Sequence, residues 1–228
     1  MVTTDDVLSI VTGAASGQRE ELWEKVIQAI QAKTVLEIGV WRGEFAEYIL
    51  KRCLSITHYY MLDPWRHLER WNKPSNVDQQ AFDEIFEQAM SRSQFAAERR
   101  IVLRGTTREK IQEIADGALD LAYIDGDHTL RGTTIDLVSV YPKVRGGGII
   151  GGDDYTPSIW QHSEEFEPSL VCPFAAYFAE SQGAPIVILP HNQFAIIKPT
   201  ESGCPFRIID TTQTYGQPLL LPQVRPRG

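Results

Sequence analysis

Pro185–Pro199 reads "PIVILPHNQFAIIKP". Two apolar runs, "PIVILP" and "QFAIIKP", are joined by His191-Asn192. So short a link allows only an antiparallel hairpin, because parallel neighbours need a long crossover. Upstream the pattern differs. "TVLEIG" (Thr34–Gly39), "HYYMLD" (His58–Asp63), "RIVLRG" (Arg100–Gly105), "LDLAYID" (Leu119–Asp125) and "GGIIGGDD" (Gly147–Asp154) read as strands. Between them the apolar residues fall at helical spacing. Leu22, Trp23, Val26, Ile27 and Ile30 mark a helix before the first strand; Phe82, Ile85, Phe86 and Ala89 mark one before the third. Glu44–Leu54, Thr107–Ala115, Leu130–Val144 and Ser169–Ser181 complete the set, the last with Pro173 near its first turn. Strand and helix alternate, and the strands are apolar on both faces. That predicts an α/β fold, a mostly parallel sheet with helices on both faces, closed by an antiparallel last strand.

The 228 residues suffice for one sizeable core. We divide them into an N-terminal helical segment (1–33), a main domain (34–198) with a polar, aromatic variable loop (64–80), and a proline-rich tail (199–228). The tail shows no period, and an extended or disordered arm is expected. A net charge of −8 disfavours nucleic acid or an anionic membrane as main partner. Three widely spaced cysteines make neither a disulfide framework nor a zinc pattern. No apolar run is long enough to span a membrane, and the N-terminus, with two acids and no basic region, is unlike a secretory signal. The expectation is a cytoplasmic protein without membrane or nucleic-acid partners. The tail could pack against a second copy in a homodimer.

In open α/β sheets, ligands lie at the carboxyl ends of the strands. The first strand turns through "EIGVWRG", with Glu37, Gly39, Trp41 and Gly43. Both G-x-G-x-x-G and the lysine-bearing phosphate loop are absent. A carboxylate at Glu37 suits a ligand with an ammonium group better than a pyrophosphate; the alternative is a plain tight turn. Asp63 ends the second strand, where an acid can accept both hydroxyls of a ribose or merely start the turn at Pro64. Gly105 and Thr106 end the third, with Thr106 also suited to capping the next helix. The fourth and fifth strands end in "IDGDH" and "GGDDY", which supply Asp125, Asp127, His128, Asp153 and Asp154.

Together "TVLEIGVWRGEFAEYIL", "YYMLD", "RGTT", "LAYIDGDH" and "GGIIGGDDY" resemble the class I S-adenosylmethionine-dependent methyltransferases. More narrowly they are similar to the macrocin-type sugar and natural-product O-methyltransferases. The resemblance covers roughly residues 34–198. It implies a Rossmann-like seven-stranded sheet with an antiparallel seventh strand, in agreement with the hairpin. It places Glu37 and Gly39 at the methionine end of the cofactor, Asp63 at the ribose and Thr106 near adenine, with Trp41, Gly43 and Gly105 as further cofactor-binding positions; Trp65 either covers adenine or substrate or packs under the loop. It makes the fourth and fifth strands neighbours. Asp125, Asp153 and Asp154 then crowd together, and the resemblance assigns all three to Mg²⁺, with Asp125 also beside the cofactor. His128 becomes the general base for a hydroxyl of a small molecule, a sugar or secondary metabolite. Imidazole suits that role because it titrates near neutrality. Asp127 is left with a turn-capping role. The rivals are a metal-free methyltransferase, a cofactor-binding protein without chemistry, and a nicotinamide oxidoreductase, the last disfavoured by the missing glycine fingerprint.

Overall fold

The computed structural model describes residues 3–200 and 205–215. Helices α1 (Thr4–Gly13) and α2 (Arg19–Ala29) precede β1 (Thr34–Ile38). Then α3 (Glu44–Arg52), β2 (His58–Asp63), α4 (Gln79–Arg92), β3 (Arg100–Arg104), α5 (Thr107–Lys110) and β4 (Leu119–Ile124) follow. The chain continues through α6 (Leu130–Val140), β5 (Val144–Gly152), α7 (Val171–Ser181), β6 (Ile186–Leu189), β7 (Gln193–Ile197) and β8 (Ile208–Asp210).

The sheet order is β3-β2-β1-β4-β5-β7-β6-β8. The first five strands in that order are parallel, and β7 runs antiparallel to both β5 and β6. His191 and Asn192, with φ of 60° and 57°, make the β6–β7 turn in the left-handed region that tight hairpins favour. The eighth strand is new. Ile208–Asp210 pairs in parallel with β6, an apolar strand that would otherwise expose its edge. The tail is therefore structured in part, where an extended or disordered arm was expected; residues 201–204 and 216–228 lie outside the described residues.

The strand period of two divides the core between the faces of the sheet. Val35, Leu121, Tyr123 and Ile149 face α2 and α3, against Trp23, Val26, Phe45 and Ile49. Leu36, Ala122, Ile124 and Ile150 face α6 and α7, against Leu137, Val140, Ala175 and Phe178. The expected helix at Thr107–Ala115 is only one α turn followed by a 3₁₀ turn at Ile111–Glu113. Among the described residues no helix is long and apolar enough to cross a membrane.

Candidate active site

The connections after β1 and β4 leave on opposite sides of the sheet, and a crevice opens where these two strands meet. Here it is a cavity of about 910 Å³ lined by Glu37, Gly39, Trp41, Asp63, Thr106, Asp125, His128 and Asp154. Backbone pairing carries the strand register one residue past the sheet. Asp125 N donates to Ile38 O at 2.8 Å, and Asp153 N donates to Ile124 O at 3.0 Å. The ends of β1, β4 and β5 are thus locked side by side. Gly39 (φ 84°) is required at this junction, since a Cβ there would lie 1.9 Å from Asp125 O.

Glu37 is buried at the floor, where its carboxylate accepts the Tyr59 hydroxyl at 2.7 Å. Burial outweighs that hydrogen bond and pushes its pKa up to about 8. Asp63 accepts the Trp41 amide at 2.9 Å on one oxygen and the Trp65 amide at 2.8 Å on the other. Burial still lifts it to about 6, against the pull of those amides. Each oxygen keeps a lone pair for a further donor.

Four expected site residues lie outside the cavity wall. Trp65 is fully buried: its indole N–H donates to Trp41 O at 2.9 Å and its ring packs edge-on to Phe86. It ties the β1 and β2 turns together and covers no ligand space. Gly43 (φ 77°) caps α3 and lets it approach Ala89 of α4. Gly105 donates its amide to Asp63 O at 3.0 Å. Asp153 lies behind the wall. Thr106, on the wall, forms a capping box with Glu109.

The expected three-acid metal site is not assembled among the described residues. Asp153 Oδ1 already accepts Gln193 Nε2 at 2.6 Å and the Asp154 amide at 2.7 Å, which fills both its lone pairs. Asp153 Oδ2 accepts Arg19 Nη1 at 2.8 Å, and the same nitrogen lies 3.3 Å from Asp125 Oδ2. Asp154, at φ 62°, turns instead to His128 and meets Nδ1 in a short contact. The donor set is divided between an arginine and a histidine, and it does not fit Mg²⁺, which demands octahedral oxygen ligands around one point.

His128 Nε2 is buried without a hydrogen-bond partner among the described residues. It lies 3.3 Å from Asp125 Oδ1, at ion-pair distance but off the hydrogen-bond axis. Burial lowers the imidazole's basicity; Asp125 and Asp154 outweigh this and raise its pKa to about 10.

Several site residues gave no signal in the sequence. Arg19 reads as the solvated start of an amphipathic helix. Asp136 lies mid-helix in α6, yet it faces the cavity, accepts the Thr107 hydroxyl at 2.6 Å and is raised by burial to about 7. Asp127 does cap the turn, accepting the Thr129 amide at 3.0 Å, and it also takes the Trp71 indole N–H at 3.1 Å. That bond draws the variable loop over the cavity. Lys73, on the same loop, donates to Glu167 O at 2.7 Å and joins it to the segment after β5.

A twisted, mostly parallel sheet with an acid-lined crevice where β1 and β4 meet defines a Rossmann-like α/β protein built to hold a small cofactor. The sequence model of a methyltransferase domain matches residues 36–155, more than half of the chain, which therefore belongs to that methyltransferase family. No curated protein matches the chain. Solved structures share its fold. Cofactor-bound Rv0187 from MTB is 18% identical with a TM-score of 0.56, over 86% of this chain and 89% of its own. An O-methyltransferase from Bacillus cereus, in complex with SAH, is 16% identical with a TM-score of 0.53, over 86% and 90%. TomG from Streptomyces achromogenes, an O-methyltransferase involved in tomaymycin synthesis and bound to SAM, is 13% identical with a TM-score of 0.52, over 87% and 92%.

Proposed function

We propose that this chain is an S-adenosylmethionine-dependent O-methyltransferase acting on a small hydroxylated molecule, a sugar or secondary metabolite. The observation that carries the reading is His128 at the wall of the cavity, its Nδ1 engaged by Asp154 and its Nε2 without a hydrogen bond among the described residues, 3.3 Å from Asp125 Oδ1. The fold shared with the Bacillus cereus O-methyltransferase and with SAM-bound TomG supports the same reaction class.

The residues present suit the cofactor. Glu37 offers a carboxyl to its ammonium group, and Asp63 keeps a lone pair on each oxygen for the two ribose hydroxyls. When bound, the sulfonium supplies an electrophilic methyl group. The chain has to hold the acceptor hydroxyl in line with it and remove its proton, and positioning accounts for much of the barrier reduction. Asp154 fixes the imidazole by its Nδ1 side, as the aspartate of a hydrolase triad does. Nε2 is left to take the hydroxyl proton. Imidazolium cannot do this, so the reactive form is neutral His128, favoured when the positive sulfonium lies nearby. No metal enters these steps.

The test is His128→Ala. Methyl transfer is expected to fall by about 100-fold or more, with the affinity for S-adenosylhomocysteine unchanged by calorimetry. Unchanged turnover would remove His128 as base.

A further inference from the structure

We infer that Arg19 is the resident cation of the acidic centre, a guanidinium built into the place that the resemblance assigns to a divalent ion. The inference takes the acid centre from the methyltransferase reading and adds what neutralises it.

Three observations carry it. First, the guanidinium bridges two of the three acids: Nη1 lies 2.8 Å from Asp153 Oδ2 and 3.3 Å from Asp125 Oδ2. A bridging cation is what the repulsion between adjacent carboxylates requires. Second, Asp153 is oriented towards Arg19, since Gln193 and the Asp154 amide both donate to Oδ1 and leave Oδ2 to the guanidinium. Gln193 is itself fixed, its amide oxygen accepting Trp23 Nε1 and the Tyr123 hydroxyl at 2.9 Å each. Asp153 is thus held as a hydrogen-bond acceptor for a planar donor.

Third, the position of Arg19 is set from several sides. Trp23, one turn along α2 on the same face, lies over Gly151, where a Cβ would meet the indole at 1.9 Å. His191 Nε2 lies 2.7 Å from Gly17 O, which pins the loop before α2 to the β6–β7 turn. Glu20 accepts Arg19 Nε at 3.0 Å, and the guanidinium carbon lies 5.7 Å from the centre of the Phe45 ring. A side chain that only balanced surface charge would need none of this. Arg19 also lines the cavity, and its Nη2 has no protein hydrogen bond among the described residues. It is available to an acceptor oxygen, as a metal ion's open position would be. Arg19 lies outside the matched residues 36–155, so the family's own segment supplies the acids and the N-terminal helix supplies the cation.

The test is a Mn²⁺ titration followed by the electron paramagnetic resonance signal of free Mn²⁺, with S-adenosylhomocysteine binding measured on the same samples. Wild type is expected to leave the free-ion signal undiminished. Arg19→Met, or Arg19→Gln if the methionine variant does not fold, opens the acid centre and takes up the ion. That uptake disappears when Asp153→Asn is added. Uptake by wild type that Asp153→Asn abolishes overturns the inference. So does a folded Arg19 variant that binds S-adenosylhomocysteine but no Mn²⁺. Failure of wild type to bind S-adenosylhomocysteine counts against the methyltransferase reading and leaves the Mn²⁺ comparison intact.

Discussion

Glu37 lies buried at the cavity floor, and burial raises its pKa to about 8, so without a cationic ligand it is largely protonated at neutral pH. A ligand ammonium group favours the carboxylate and should expel that proton. Calorimetry of S-adenosylhomocysteine binding in buffers of different ionisation enthalpy is expected to show proton release at neutral pH, fading above the Glu37 pKa. Glu37→Gln should abolish the release; release that persists in the variant would place the proton elsewhere. The strand-end acids were legible in the sequence, because a charge that closes an apolar run is conspicuous; Asp136, mid-helix in α6, was not. Nor was Arg19, since Arg-Glu-Glu before Leu22 is also what any solvated helix start looks like. Trp65 was misplaced for a related reason: an aromatic residue beside a ligand-facing aspartate reads equally as a lid or as packing, and only the Phe86 contact decides.

At the scale of elements, glycine spacing in β5 decides how α2 sits. Gly151→Ala places a methyl group within 1.9 Å of the Trp23 ring. Overpacking of this kind costs about 1–3 kcal/mol, to be read from the denaturation midpoint. Because Arg19 is on the same helix face, the variant is also expected to lose activity beyond what its stability explains. Wild-type stability and turnover in this variant would remove the Trp23–Gly151 contact as the anchor of α2. The Asp136–Thr107 bond ties α6 to α5, and its pH dependence follows from burial. The folded pKa of Asp136 is raised to about 7 from an ordinary 3.8. Between those values the folded chain keeps a proton that the unfolded chain has lost. Its contribution to stability is therefore complete below about pH 4 and is lost as pH rises towards 7. Asp136→Asn should flatten that part of the stability–pH curve; an unaltered curve would contradict the assignment. Most elements were legible from periodicity, whereas the short α5 was overextended because Ile111 and Ile114 continue a helical spacing that the chain meets with a 3₁₀ turn.

At the scale of the molecule, the hairpin "PIVILPHNQFAIIKP" was decisive, because it requires an antiparallel end on an otherwise parallel sheet. The eighth strand was invisible for a physical reason: "RIID" is too short and too exposed to show a period, and it pairs only because β6 leaves an edge. The division of the three acids was equally hidden, since it depends on where an arginine more than a hundred residues away in sequence comes to rest. The whole assembly serves the proposed reaction, methyl transfer to oxygen with His128 taking the proton. The direct measurement follows the methyl group of labelled S-adenosylmethionine into the products of a panel of polyhydroxylated small molecules. Label is expected in an O–CH₃ ether, with the cofactor left unspent by a His128→Ala protein that still binds S-adenosylhomocysteine. Label on nitrogen or sulfur, or an ether formed as fast by His128→Ala as by wild type, would contradict it.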